Sequence, residues 1–87
     1  MFSGIQFSGE VPARGNRRWF THSWPANWQV IWNVVPQTVN QGAPQINWQV
    51  EVERTDAERL TYWVTVQNLT AQPVSVEGRF IVLNQEG

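Results

Sequence analysis

Residues 46–53 read Ile46-Asn47-Trp48-Gln49-Val50-Glu51-Val52-Glu53, so apolar and polar side chains alternate along the whole stretch. Successive side chains of a β-strand point to opposite faces, and a period of two therefore indicates a strand with one buried and one solvated face. The pattern predicts that Ile46, Trp48, Val50 and Val52 face a hydrophobic core.

The same period of two recurs along most of the chain, with valine, threonine and aromatic residues on the apolar positions and turn-forming residues between the segments. The further predicted strands cover residues 4–11, 17–23, 28–35, 60–67 and 74–83. No segment has the periodicity of a ten-residue helix. The sequence therefore predicts an all-β fold, a single small antiparallel β-sandwich over residues 1–87 with about six or seven strands, and a partly open barrel as second choice. The regular spacing of the strands is typical of a meander.

One segment has a common strand-turn-strand pattern: Thr61-Tyr62-Trp63-Val64-Thr65-Val66-Gln67-Asn68-Leu69-Thr70, followed by Pro73-Val74-Ser75-Val76. It resembles the late strands of immunoglobulin-like and small lectin sandwiches. The resemblance is short and assigns no functional residue. The expected sandwich is immunoglobulin-like or jelly-roll-like.

Charge and composition exclude several classes of function. The formal net charge is −1, from six basic residues, all arginine, and seven acidic ones. The arginines do not form the basic stripe of a nucleic-acid-binding protein. With no cysteine and one histidine, we expect no zinc site and no cofactor. No apolar run is long enough for a transmembrane span, and no signal peptide is visible, so the cellular compartment stays open.

Catalysis is not expected either. His22 is the only histidine, and its neighbour Ser23 should point to the opposite face of a strand. Glu51 and Glu53 are two residues apart on one strand face, where alternating glutamates are typical solubilising charges. We therefore expect a binding protein and not an enzyme.

The six tryptophans are the most informative feature. The strand phase places Trp28, Trp32 and Trp48 in the core, whereas Trp63 projects from a polar face. We expect Trp19 and Trp24 to be exposed near a sheet end, next to Pro25. An exposed indole can stack on a sugar ring while amide and arginine side chains bind its hydroxyl groups.

The sequence therefore predicts a non-catalytic, lectin-like module that binds carbohydrate and forms a homo-oligomer. The expected ligand-binding residues are Trp19, Trp24, Trp63, His22, Arg17, Asn33, Asn47 and Gln49.

The alternative is a structural subunit of a coat, filament or decoration that assembles with other copies of itself. Several aliphatic side chains fall on the outward phase of their strands and would form an oligomer interface together with an exposed tryptophan. The expected interface residues are Trp63, Ile31, Val35, Ile81 and Leu83. A third hypothesis is a module that places its surface aromatic residues at a lipid interface.

Overall fold

The computed structural model describes residues 1–84 and contains six β-strands and no helix in that range. The strands are β1 (Phe2–Val11), β2 (Asn16–Pro25), β3 (Val30–Pro36), β4 (Ile46–Arg54), β5 (Arg59–Asn68) and β6 (Val74–Val82). Each predicted strand is present, with its ends moved by a few residues. The all-β prediction is confirmed.

Two three-stranded antiparallel sheets form the molecule: a β6 sheet with the order β1-β6-β3 and a β5 sheet with the order β2-β5-β4. Only β4 and β5 are consecutive strands that pair with each other, because the other connections pass from one sheet to the other. The meander expected from the strand spacing is therefore wrong. β2 lies beside β5 and β3 lies beside β6, the adjacencies that strands B–E and C–F have in immunoglobulin-type sandwiches.

The inner faces of the two sheets enclose one hydrophobic core. The two central strands supply a set of valines that are 0 or 1% exposed: Val64, Val66, Val74, Val76 and Val82. Aromatic rings join the sheets, since Phe7 of β1 stacks on Trp19 of β2 with ring centroids 4.4 Å apart, and Trp32 of β3 contacts Trp24 of β2 at 5.6 Å. The two sheets therefore pack as a sandwich.

Trp24 belongs to this core, which corrects the expectation of an exposed indole. The pairing of β2 with β5 shifts between Thr21 and Trp24, so β2 has one extra residue there, and Ser23 adopts a φ of 69°. The extra residue moves Trp24 to the inner face, where it is 7% exposed. Its Nε1 donates to Thr21 Oγ1 at 3.0 Å, and that hydroxyl donates to the carbonyl of Tyr62 at 3.1 Å.

Trp48 is the opposite case. Trp48, Val50 and Val52 lie on the inner face of β4, as the alternation predicts, because they pair with the inward-facing Val66, Val64 and Tyr62 of β5. They are nevertheless 38%, 37% and 60% exposed. β4 is the edge strand of its sheet, and the shorter β3 opposite makes few contacts with it. The prediction of a buried Trp48 is wrong, and we call Trp48, Val50 and Val52 the β4 apolar row.

Candidate functional site

The outer face of the β5 sheet carries the most distinctive group of side chains, which we call the Trp63 face. Pairing places Phe20 of β2 and Glu51 of β4 on either side of Trp63. Two residues further along the strands, the next row of outward-facing side chains consists of Arg18, Thr65 and Gln49. The full set is Arg18, Phe20 and His22 from β2, Trp63, Thr65 and Gln67 from β5, and Asn47, Gln49 and Glu51 from β4. All belong to extended strands, so the backbone fixes their relative positions.

Three aromatic rings form a continuous strip across this face. The ring centroids of Phe20 and Trp63 are 5.5 Å apart, and Phe20 stacks on His22 at 5.3 Å with an interplanar angle of 25°. Phe20 is 58% exposed, which is a large solvent contact for an apolar ring. Exposed apolar area of this kind in the middle of a polar surface is typical of a binding site.

A charged pair holds the centre of the face. The guanidinium of Arg18 lies over the Trp63 ring, 5.3 Å from its centroid, and its Nη2 contacts Glu51 Oε1 at 3.2 Å. Both charged side chains are 54% exposed, and such surface pairs add little to stability. The pair links β2 to β4 across β5 and places the Arg18 guanidinium over the indole of Trp63.

Neutral amides border the aromatic strip. Asn47 of β4 and Gln67 of β5 are direct neighbours on the outer face, and Gln49 is the next outward-facing residue of β4 after Asn47. Within residues 1–84, the side chains of these three residues form no hydrogen bond with another protein group. An exposed amide offers two donor hydrogens and a carbonyl acceptor, so each can bind the hydroxyl groups of a ligand.

A shallow depression of about 390 Å³ adjoins the strip at the end of β2, and its lining includes Phe20, His22 and Asp56. Asp56 accepts from the backbone N–H of Glu58 at 2.8 Å and contacts Arg59 at 3.3 Å, and both contacts hold the pKa of Asp56 below its usual 3.8. A carboxylate therefore persists at this edge of the face at neutral pH.

The same bulge that buries Trp24 also changes the relation between His22 and Ser23. Their side chains lie 2.9 Å apart, from Nδ1 to Oγ, although strict alternation would place them on opposite faces. Strict alternation requires a regular strand, and the bulge at residues 21–24 makes the backbone irregular there. The expectation that His22 and Ser23 point to opposite faces therefore does not hold.

The structure divides the expected ligand-binding residues among separate places. His22, Trp63, Asn47 and Gln49 share the Trp63 face. Trp19 packs against Phe7 on the inner side, and Arg17 lies over Trp19 at 4.6 Å, so this pair closes the gap between the two sheets.

The other two expected residues lie away from the Trp63 face. Asn33 is on the outer face of the β6 sheet, and Trp24 is in the core. Phe20, Arg18 and Glu51 were not expected in the site. Arg18 and Phe20 alternate with the same phase as His22 along β2, so the sequence pattern could have identified them.

The expected oligomer interface is also divided. Ile31 pairs with Ile81 on the outer face of the β6 sheet, with Ile5 nearby, and Leu83 is exposed just beyond β6. Val35 shares the outward phase of β3 but is half-buried. Trp63 lies on the other side of the sandwich, so it cannot belong to the same surface. We call Ile5, Ile31, Ile81 and Leu83 the β6-sheet aliphatic patch.

Within the described residues, no cluster of three or more histidine, cysteine or acidic side chains could hold a metal ion, and no helix could cross a membrane. Comparisons with protein-family models, curated proteins and solved structures gave no significant match.

Proposed function

We propose that the chain is a carbohydrate-binding module and that the Trp63 face is its binding surface. The single observation that carries the proposal is the ring strip of His22, Phe20 and the half-buried Trp63 on an otherwise polar sheet face, in which Phe20 is 58% exposed. A sugar ring has an apolar face that packs on such rings, while its hydroxyl groups need hydrogen-bond partners at the periphery.

The surroundings of the strip suit a neutral sugar. Within residues 1–84, the side-chain amides of Asn47, Gln49 and Gln67 have no protein partner. Arg18 beside Trp63 is paired with Glu51, and Arg59 at the adjoining depression is paired with Asp56. The face is open and follows extended strands, so it accommodates a chain of sugar units better than it encloses a single one. An open site of this kind buries little ligand area, and we expect weak binding per site.

The test begins with a glycan array and a pull-down on insoluble polysaccharides, followed by calorimetric titration with the best-binding oligosaccharide. Phe20→Ala removes an exposed ring at little cost to the fold, and we expect a loss of affinity of about tenfold or more. Trp63→Ala should have a comparable or larger effect. Ile31→Ala is the matched control, because Ile31 is 51% exposed against 58% for Phe20 and lies on the opposite sheet; this variant should bind like the native chain.

Circular dichroism of each variant separates loss of the site from loss of the fold. The proposal is rejected if no glycan or polysaccharide is retained by the native chain. It is also rejected if Phe20→Ala and Trp63→Ala both bind with native affinity.

A second candidate function is that of a self-assembling structural subunit, and the β6-sheet aliphatic patch favours it. Four exposed aliphatic side chains on one outer face would be covered if another copy packed on them. Ile31→Glu places a charge at the centre of that patch, and under this hypothesis it lowers the mass measured by light scattering. An unchanged mass would contradict assembly through this surface.

A further inference from the structure

β4 combines two features that leave it incomplete in the single chain. It is an edge strand of the β5 sheet, so among residues 1–84 one row of its backbone N–H and C=O groups has no strand to pair with. Its inner face carries the β4 apolar row, whose members are between 37% and 60% exposed. An edge with free backbone groups and an uncovered apolar row is a template for an added strand.

Each of the other three edge strands has a bulge or a proline that blocks such pairing, whereas β4 has neither and carries its two glutamates on the outer face. The pairing of β1 shifts between Ile5 and Phe7, and that of β2 shifts between Thr21 and Trp24, which bends both edges. β3 has only 7 residues and ends at Pro36. β4 has 9 residues, contains no proline and pairs with β5 without any shift. The chain also has no lysine with which to protect an edge.

We propose that β4 pairs with β4 of a second copy of this chain, antiparallel, about a two-fold axis at Val50. This register brings Val50 opposite the partner's Val50 and Trp48 opposite the partner's Val52. Both apolar rows then lie side by side on the inner face of one continuous six-stranded sheet, and Trp48 covers the most exposed valine of the row.

The charges of β4 favour this register. On the outer face, Gln49 lies opposite the partner's Glu51 and Asn47 lies opposite the partner's Glu53, so no carboxylate lies directly opposite another. An axis at Glu51 would instead place that carboxylate against the partner's Glu51, which is destabilising. An axis at Gln49 would leave Glu53 and Arg54 beyond the end of the paired segment. Only the axis at Val50 pairs all nine residues of β4, a length of about 30 Å.

The arrangement has a consequence for the Trp63 face. A two-fold axis perpendicular to the sheet keeps both outer faces on the same side of the dimer. Three strand spacings and a two-residue offset separate Trp63 from the partner's Trp63, which corresponds to about 16 Å between Cα atoms. A single chain-like ligand could therefore contact two sites at once, which would raise the affinity of a weak site.

The dimer itself does not depend on carbohydrate, and it is tested without any. Sedimentation and light scattering of the native chain from about 1 µM to 1 mM should show a species of twice the 10.1 kDa mass. Val52→Lys puts a charge into the apolar row at a position that is 60% exposed in the single chain, so the fold tolerates it. We expect dimerisation of this variant to weaken by about a hundredfold or more.

Val39→Lys is the matched control, because Val39 is 92% exposed and lies outside every strand. This variant should dimerise like the native chain. Circular dichroism shows whether either lysine variant disturbs the fold.

Cysteine pairs test the register, since the chain has no cysteine of its own. Val50→Cys places two thiols directly opposite each other, at a Cα separation of about 4.5–5.5 Å that a disulfide accepts. Val52→Cys places them four residues apart along the strands, about 13 Å, which no disulfide spans. Under mild oxidation, we expect a crosslinked dimer from Val50→Cys and little or none from Val52→Cys.

A native chain that stays monomeric at 1 mM overturns the proposal, as does a dimer that survives Val52→Lys. A dimer in which Val52→Cys crosslinks as readily as Val50→Cys overturns the register. Each of these outcomes leaves the proposed carbohydrate site untouched, because Phe20 and Trp63 are tested by ligand binding and not by mass.

Discussion

Gly78 lies on the inner face of β6, directly beneath the ring of Phe7. A Cβ atom built at this position would be 2.2 Å from Phe7 Cζ and 2.3 Å from Cε2. Non-bonded carbon atoms normally stay about 3.5–4.0 Å apart, so Gly78→Ala forces the ring to move by more than about 1 Å. Phe7 has little room to do so, because Trp19 stacks on it at 4.4 Å and Trp32 lies 6.3 Å away.

The expected cost follows from this geometry. Adding a methyl group to a packed core costs about 1–3 kcal/mol, and a clash with a confined ring belongs at the upper end, about 3 kcal/mol. Gly78 has no positive φ, so alanine in its place meets no backbone strain and would otherwise gain about 0.5–1 kcal/mol from the unfolded state. The net loss of stability is therefore the cost of the clash minus this smaller gain. For a domain of this size, we expect a melting temperature about 10–20 °C lower.

Urea unfolding followed by tryptophan fluorescence measures the effect, and a double-mutant cycle assigns it to the ring. In a Phe7→Leu background, we expect Gly78→Ala to cost about 2 kcal/mol less than in the native chain. Gly4→Ala is the control, since its Cβ would lie 3.2 Å from the Phe80 ring and should change stability by less than about 1 kcal/mol. A Gly78→Ala variant of native stability, or additive effects in the cycle, would refute the reasoning.

Three further predictions concern polar groups. Thr21→Val removes the acceptor of the buried Trp24 Nε1, so we expect urea unfolding to show a loss of about 1–3 kcal/mol, and native stability would contradict the buried bond. The backbone N–H of Glu58 and the charge of Arg59 hold the pKa of Asp56 below 3.8, so the contribution of this carboxylate to folding stability is present above pH 3.8 and is lost as the pH falls through the folded-state pKa. Asp56→Asn should flatten the acid limb of the stability profile, and an unchanged limb would count against this. Burial raises the pKa of Tyr62, the only tyrosine, so its absorbance at alkaline pH should titrate above 10.0 in the folded chain and return to 10.0 in urea.

The sequence predicts β3 to β6 well because their apolar residues repeat with a period of two, which differs from the helical period of 3.6. β1 and β2 each contain a bulge, and their alternation is weaker. The prediction of an exposed Trp24 fails because the extra residue of the bulge moves the following side chains of β2 to the opposite face. The pattern of residues 17–23 does not indicate that bulge. The prediction of a buried Trp48 fails for a different reason. The phase of β4 is right, but burial depends on the strand opposite, and the length of β3 relative to β4 is a tertiary property.

The candidate site was half predictable for similar reasons. Trp63 is identified by its phase alone, since its neighbours Thr61 and Thr65 are polar. Phe20 and Arg18 join it only because β2 pairs with β5, strands that are far apart in the sequence. The connections that pass from one sheet to the other determine which strands pair, and they have no periodic sequence pattern. The division of the expected sites between two opposite outer faces was therefore not predictable.

The strand order also determines when the molecule can assemble during synthesis. Within residues 1–84, β6 is the central strand of its sheet and the only strand with which β1 and β3 pair, whereas all three strands of the β5 sheet have been made once Asn68 is added. On a growing chain, β1 and β3 therefore have no strand to pair with until β6 has been added, and their backbone N–H and C=O groups stay unpaired until then. Such a nascent chain is prone to aggregation, and a ribosome-stalled chain that ends before β6 should bind chaperones that release the finished one.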